Sequence, residues 1–174
     1  MVLNAMTATP GFVRNISQVA WVVRDLDAHL ERFVRLGVGP WWVCTYKRPR
    51  LFDTRLHGRP ADFSMKIALA WTQEMNWEII QPLDGESIYW EFLRERGEGV
   101  HHIMVDCGQR TIEEIVGRFT AQGWQPTMEG CFEGVRFVYF RTEEDLKTTF
   151  EIRSIPPGWQ RPAPDYWYPE PPAR

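Results

Sequence analysis

A chain of 174 residues, 44% of them hydrophobic, can hold one sizeable core or two small modules that share one. Its formal charge of −3 and scattered basic residues argue against a nucleic-acid or anionic-membrane partner, and no apolar run reaches the roughly 18 residues of a membrane span. Cys44, Cys107 and Cys131 are odd in number and lack CxxC spacing, which argues against a disulfide framework and leads us to expect a cytoplasmic protein.

The first residues, "MVLNAMTATP", lack the charged start and apolar run of a signal peptide, so 1–13 is expected as an N-terminal arm. "ISQVAWVV" (16–23) is rich in β-branched and aromatic residues and predicts a strand. A helix follows it. Asp25 is its expected N-cap, Leu26, Leu30, Phe33 and Val34 form its stripe, and Gly37 its stop. Strands are expected over 41–47, 63–71 and 75–81, with the basic stretch "YKRPRLFDTRLHGRP" (46–60) as a loop. A linking helix should start at Ser87 and stop at Gly97.

The pattern then repeats. "HIMVDC" (102–107) reads as a strand, Thr111 and Glu114 as a capping box, and Ile112, Ile115, Val116 and Phe119 as a helical stripe closed by Gly123. Strands are expected over 125–129, 134–141 and 148–154. The tail is rich in proline, which cannot donate to a sheet ladder, so it is expected to run extended over the surface. The organisation is therefore an arm (1–13), a βαβββ module (14–83), a linking helix (84–99), a second βαβββ module (100–155) and a Pro/aromatic-rich tail (156–174). Modules of this size bury too little surface alone, so the two should pack as one α+β unit.

If the halves are equivalent, Gln18 and His102 occupy matching places on their first strands, and Glu78 and Glu151 on their last. A carboxylate between an aromatic residue and isoleucine is costly to bury unless it is paired, protonated or bound to a cation. Two at corresponding places favour a shared cation, and Gln18, Glu78, His102 and Glu151 suit one Zn, Ni, Co, Mn or Fe ion per chain. Strand alternation points His101 to the opposite face, as a structural neighbour of His102. Arg48, Arg50 and Arg55 are candidates for holding a substrate carboxylate or a coenzyme A phosphate, or else a solvated loop face. Trp41, Phe63 and Trp71 are candidates for an apolar wall, or else packing between sheet and helices.

The segments "ISQVAWVVRDLDAHLERFVRLGVGP", "WEIIQPLDGESIYWEFLRERGEGVHHIMVDC" and "TTFEIRSIP" resemble the vicinal oxygen chelate superfamily, which includes glyoxalase I, methylmalonyl-CoA epimerase and ring-cleaving dioxygenases. The resemblance implies paired βαβββ modules curled into a U-shaped half-barrel, the glyoxalase/bleomycin resistance/dioxygenase fold, with the four ligands meeting at its centre. The order Gln, Glu, His, Glu is similar to that of eukaryotic glyoxalase I. Val22, Pro82 and Glu98 stand where that enzyme's glutathione contacts would be, so a glutathione adduct is not implied. Epimerases of the family carry a further glutamate after the first helix, and none lies between Glu31 and Glu74 here. Gln18 in place of a first histidine argues against a dioxygenase. The resemblance implies a metal-dependent isomerase, epimerase or lyase in which Glu151 and Glu78 move a proton beside a carbonyl or acyl-thioester. The alternative is a metal-free binder of an aromatic small molecule. A homodimer is expected.

Overall fold

β-Branched and aromatic side chains pack well on a pleated surface. The structure, a computed structural model describing residues 11–73 and 75–172, accordingly has strand β1 at Asn15–Val22. The arm expected at 1–13 lies outside the described residues except for its last three, as do the final two residues of the tail. Helix α1 (Leu26–Arg35) begins where the Asp25 side chain accepts the Ala28 N–H, and it buries Leu26 and Leu30. Gly37, at φ 91°, ends it in the left-handed conformation that side chains with a Cβ avoid.

Then come β2 (Trp41–Tyr46), a hairpin of β3 (Leu51–Leu56) and β4 (Arg59–Pro60), and the pair β5 (Met65–Thr72) and β6 (Met75–Pro82). Helix α2 (Ile88–Glu95), capped by Ser87, links to β7 (Gly99–Asp106). Helix α3 (Ile112–Ala121) starts in the capping box of Thr111 and Glu114. After it come β8 (Pro126–Phe132), β9 (Val135–Phe140), a single turn α4 (Glu143–Leu146), β10 (Thr149–Ser154) and β11 (Tyr166–Tyr168).

The described strands form one sheet in the order β11-β2-β5-β6-β1-β7-β10-β9-β8-β3-β4. Within each half the first strand lies parallel to the last, β1 to β6 and β7 to β10. The halves meet where β1 and β7 run antiparallel. This is the mixed α+β, curved open sheet of paired βαβββ units.

Two stretches differ from expectation. The basic stretch 46–60 is not all loop: β3 pairs with β8, so a strand of the first half extends the edge of the second. His57 and Gly58, at φ 48° and 76°, make the tight turn that returns it as β4. The tail does enter the sheet, because Tyr166–Tyr168, between Pro164 and Pro169, keeps its N–H groups and pairs with β2. Each half thus carries a border strand supplied by the other.

The core has three parts. Leu26 and Leu30 of α1 pack with Trp41 and Ile79 on one outer face, and Ile115 and Phe119 of α3 with Phe140 and Ile152 on the other. The third part fills the concave side, where Tyr89 and Leu93 of α2 meet Met65, Phe132 and Tyr139. Among the described residues no helix is long and apolar enough to cross a membrane. The three cysteines are buried and free.

Candidate metal centre

Concave-facing positions on four neighbouring strands meet at the middle of the sheet. Ala20 on β1 pairs with Glu78 on one side and His102 on the other, and Met104 on β7 pairs with Gln18 and Glu151. The four polar residues form a diamond, and Ala20, fully buried with only a methyl group, leaves room inside it. Gln18 is 1% exposed, Glu78 7%, His102 0% and Glu151 6%.

Nε2 of His102 lies 3.2 Å from Oε2 of Glu78 and 3.1 Å from Oε2 of Glu151. Gln18 Nε2 donates to Glu78 Oε2 at 2.7 Å and to Glu151 Oε2 at 3.4 Å. One ligand-type atom each from Glu78, His102 and Glu151 lies within 4.8 Å of the others. Gln18 Oε1 is buried without a hydrogen-bond partner, and His102 Nε2, at ion-pair distance from both carboxylates, makes no well-angled hydrogen bond to either, although such buried atoms are rarely left unsatisfied. Two carboxylates, an imidazole nitrogen and an orphaned amide oxygen in reach fit a divalent cation.

The electrostatics of the metal-free chain are those of a crowded acid site. Burial opposes charge on His102, but contact with Glu151 and Glu78 outweighs it and raises the pKa to about 9. Burial raises the Glu78 carboxyl, His102 draws it down, and repulsion from Glu151 pushes it up again.

His101 does not point away from His102. The register of β7 against β1 shifts between the pairs Ala20–His102 and Trp21–Val100, a bulge at His101 that interrupts the alternation of faces. Its ring is consequently buried against Tyr89 and Phe92 of α2, with Nδ1 2.9 Å from Nδ1 of His102. Burial, and then the neighbouring His102 and Arg96, hold His101 well below the ordinary histidine pKa, and a neutral His101 can accept from His102 Nδ1–H. This bond orients the His102 ring and leaves Nε2 to face the carboxylates.

Above the diamond lies a narrow cleft of about 50 Å³. One wall is apolar, with Met65, Ile67 and Leu69 of β5; the facing wall brings Phe137 and Tyr139 of β9 and Arg153 of β10. The Tyr46 and Phe132 rings stack across it at 3.5 Å between centroids. Tyr89 donates to or accepts from the Tyr139 hydroxyl at 2.9 Å, and the Tyr139 ring lies 4.9 Å from His102. Burial, together with the glutamates, keeps both hydroxyls protonated far above the ordinary tyrosine range.

Of the other candidates only Trp71 borders the cleft. Trp41 is on the opposite face of β2, buried against α1 with its indole N–H donated to Val38 O. Phe63 is packed in the concave core. Arg48 pairs with Asp62 on the surface, and Arg55 reaches the Gly58 carbonyl. Arg50 is held by Glu133 at 2.5 Å and lies over the Phe132 ring, behind the cleft wall. Trp71, 42% exposed, stands at the rim under Arg161. The sequence reading missed Arg153, Trp159, Arg161, Tyr89 and Tyr139. Arg153 was detectable, since it is two residues after Glu151 on one strand and so shares its face. Nothing local marks Arg161.

The fold and the buried group define a protein of paired βαβββ modules with a candidate metal centre on the seam. The chain belongs to the Glyoxalase/Bleomycin resistance protein/Dioxygenase superfamily, whose model matches residues 17–140. It is similar to the crystal structure of hypothetical protein BH1468 from Bacillus halodurans C-125, at 21% identity and a TM-score of 0.60 over 84% of this chain and 98% of the other. It is also similar to methylmalonyl-CoA epimerase from Mycobacterium tuberculosis, at 19% identity and a TM-score of 0.58 over 88% and 95%. A Streptomyces coelicolor methylmalonyl-CoA epimerase variant in complex with 2-nitronate-propionyl-CoA aligns at 17% identity and a TM-score of 0.56 over 86% and 99%. Comparison with curated protein sequences gives no significant match.

Proposed function

We propose that the chain is a metal-dependent isomerase, epimerase or lyase that moves a proton on the carbon next to a carbonyl. The observation that carries this reading is the buried Glu78–His102–Glu151 group, with the orphaned Gln18 oxygen beside it, on the floor of a cleft. Gln18, Glu78, His102 and Glu151 would hold one divalent ion. When bound, such an ion polarises a carbonyl oxygen and lowers the energy of the enolate beside it. The chain's own residues do the rest. Glu78 and Glu151 approach His102 Nε2 from different strands, so a carboxylate oxygen of one takes the proton and the other returns it. The apolar β5 wall and the stacked Tyr46 and Phe132 exclude water from the carbanionic stage. The likeness to epimerases, one solved with methylmalonyl-CoA, supports an acyl group with an acidic C–H, although it bears on the fold first.

Elemental analysis of untagged protein tests the reading. About one Zn, Ni, Co, Mn or Fe per chain is expected, and less than about a tenth, not restored by adding these ions, discards it. The second reading, a metal-free binder of an aromatic small molecule, is favoured by one observation: Gln18 and a charged His102 already compensate both carboxylates. The same assay separates the two.

A further inference from the structure

The tail does more than cover an edge. After β10 it turns back, and Trp159 and Arg161 line the cleft together with Arg153. The Arg161 guanidinium lies 4.6 Å from the Trp71 ring, 5.3 Å from Trp42 and 5.7 Å from Trp159. The Trp42 indole donates to Pro162 O and the Trp159 indole to Glu133 O, so two of the three rings that hold Arg161 are themselves held. Ring faces fix a guanidinium in place but leave its in-plane N–H donors unused. Among the described residues, neither the Arg161 nor the Arg153 guanidinium has a hydrogen-bond or ion-pair partner, whereas Arg48, Arg50, Arg94 and Arg136 each pair with a carboxylate.

The carboxylates that share the cleft, Glu78 and Glu151, are engaged by His102 and Gln18, so the two guanidinium groups face it without a bonded counter-charge, an arrangement that a further anion would stabilise. We propose that Arg153 and Arg161 form an anion site for a carboxylate of the substrate itself, making the ligand a compact oxo acid or acyl acid. The orientation of that ligand rests on the proton-transfer reading above; the anion site does not. Distance selects the source of the anion. Arg153 is two residues beyond Glu151 on the same face of β10, roughly 7 Å along the strand. A carboxylate a few bonds from the reacting carbonyl spans that gap. The phosphates of coenzyme A do not, since the whole pantetheine arm separates them from the thioester. Burial of Arg161, only partly offset by Tyr46 and Glu78, lowers its pKa, and Arg153 lowers it further, so an added negative charge relieves Arg161.

The test uses the full chain and three probes, 4-oxopentanoate, 5-oxohexanoate and 6-oxoheptanoate, each against its methyl ester. Binding is read from tryptophan fluorescence with and without added Mn²⁺. At least one acid should bind about ten-fold or more tightly than its ester, the size of a charge-assisted contact. Arg161→Gln and Arg153→Gln should each bring acid and ester to within about two-fold by weakening the acid alone. Equal binding of acids and esters in the unaltered chain overturns the proposal, as does a preference that survives both substitutions. Coenzyme A should bind Arg161→Gln as it binds the unaltered protein; its selective loss, with no difference between acid and ester, assigns the site to phosphate and also overturns the proposal. Arg153→Gln alters β10, which supplies none of the three indoles around Arg161, and keeps the test decisive if Arg161→Gln melts early. An acid preference that persists without metal sustains the anion site even if the elemental analysis discards the metal-dependent reaction.

Discussion

On β6 the next concave-facing residue after Glu78 is Ile80, fully buried; on β10 the residue after Glu151 is Arg153, which opens into the cleft. The neighbouring strands differ in the same sense, with Met65, Ile67 and Leu69 on β5 against Phe137 and Tyr139 on β9. The seam differs too: Gln18 stands alone on β1, whereas His102 on β7 is backed by the bulged His101. A repeated scaffold has kept its two carboxylates alike and let everything around them diverge. The like parts suit a charge that must be reached from two sides. The unlike parts can tell one end of a ligand from the other.

The largest effect expected from this comparison is catalytic. If the glutamates serve opposite faces of the reacting carbon, Glu151→Gln and Glu78→Gln should each slow exchange of the α-hydrogen with deuterated solvent by on the order of a hundred- to ten-thousand-fold. With the separate enantiomers of a chiral substrate, the two variants should fail on opposite enantiomers. Undiminished exchange in either metal-loaded variant removes that glutamate from the proposed role.

Next in size is the stability of the seam. His102→Ala leaves two buried carboxylates without their cation and should cost about 3–5 kcal/mol in urea unfolding of chelator-treated protein, while Gln18→Ala should cost about 1–3 kcal/mol. Equal losses would mean the seam is as symmetric as the sheet. The pH dependence has a definite sign. The folded pKa of His102 is raised to about 9 from an ordinary 6.5, so its contribution is complete below 6.5 and is lost as pH rises through 9. Chelator-treated protein should therefore weaken over that interval, and His102→Ala should not show this loss; urea midpoints across the range check it.

The smallest contrast lies at the helix starts. Thr111→Ala removes the hydroxyl that accepts the Glu114 N–H and contacts its carboxylate, leaving only the backbone half of the capping box, and should cost about 1–2 kcal/mol, against about 0.5–1 kcal/mol for the single bond lost in Asp25→Ala. Thermal melts of the two variants measure the difference.

What the sequence made legible is what depends on neighbours close along the chain. The caps at Asp25, Ser87 and Thr111, the helical stripes, and the repeated order of strand and helix need only local periodicity, and the repeat alone brought Gln18, Glu78, His102 and Glu151 into one group. What it hid depends on partners far away. β3 is strand-like because β8 offers it a ladder, and β11 because β2 does. The bulge at His101 exists only against β1. Trp41 and Trp42 are adjacent, and a shift of one residue exchanges the face beneath α1 for the face toward the cleft. Arg161 is an ordinary tail residue until three indoles from separate places surround it.

The strand that borders β2 is translated more than a hundred residues after β2 itself. At ribosomal speed that interval is on the order of ten seconds. Throughout it, Trp41–Tyr46 has a bare rim of peptide groups, the kind of edge that recruits a stray chain. Newly made copies should therefore depend on holdase chaperones during synthesis far more than the finished protein depends on them for refolding, and crowded polysomes are where this chain is most exposed to aggregation.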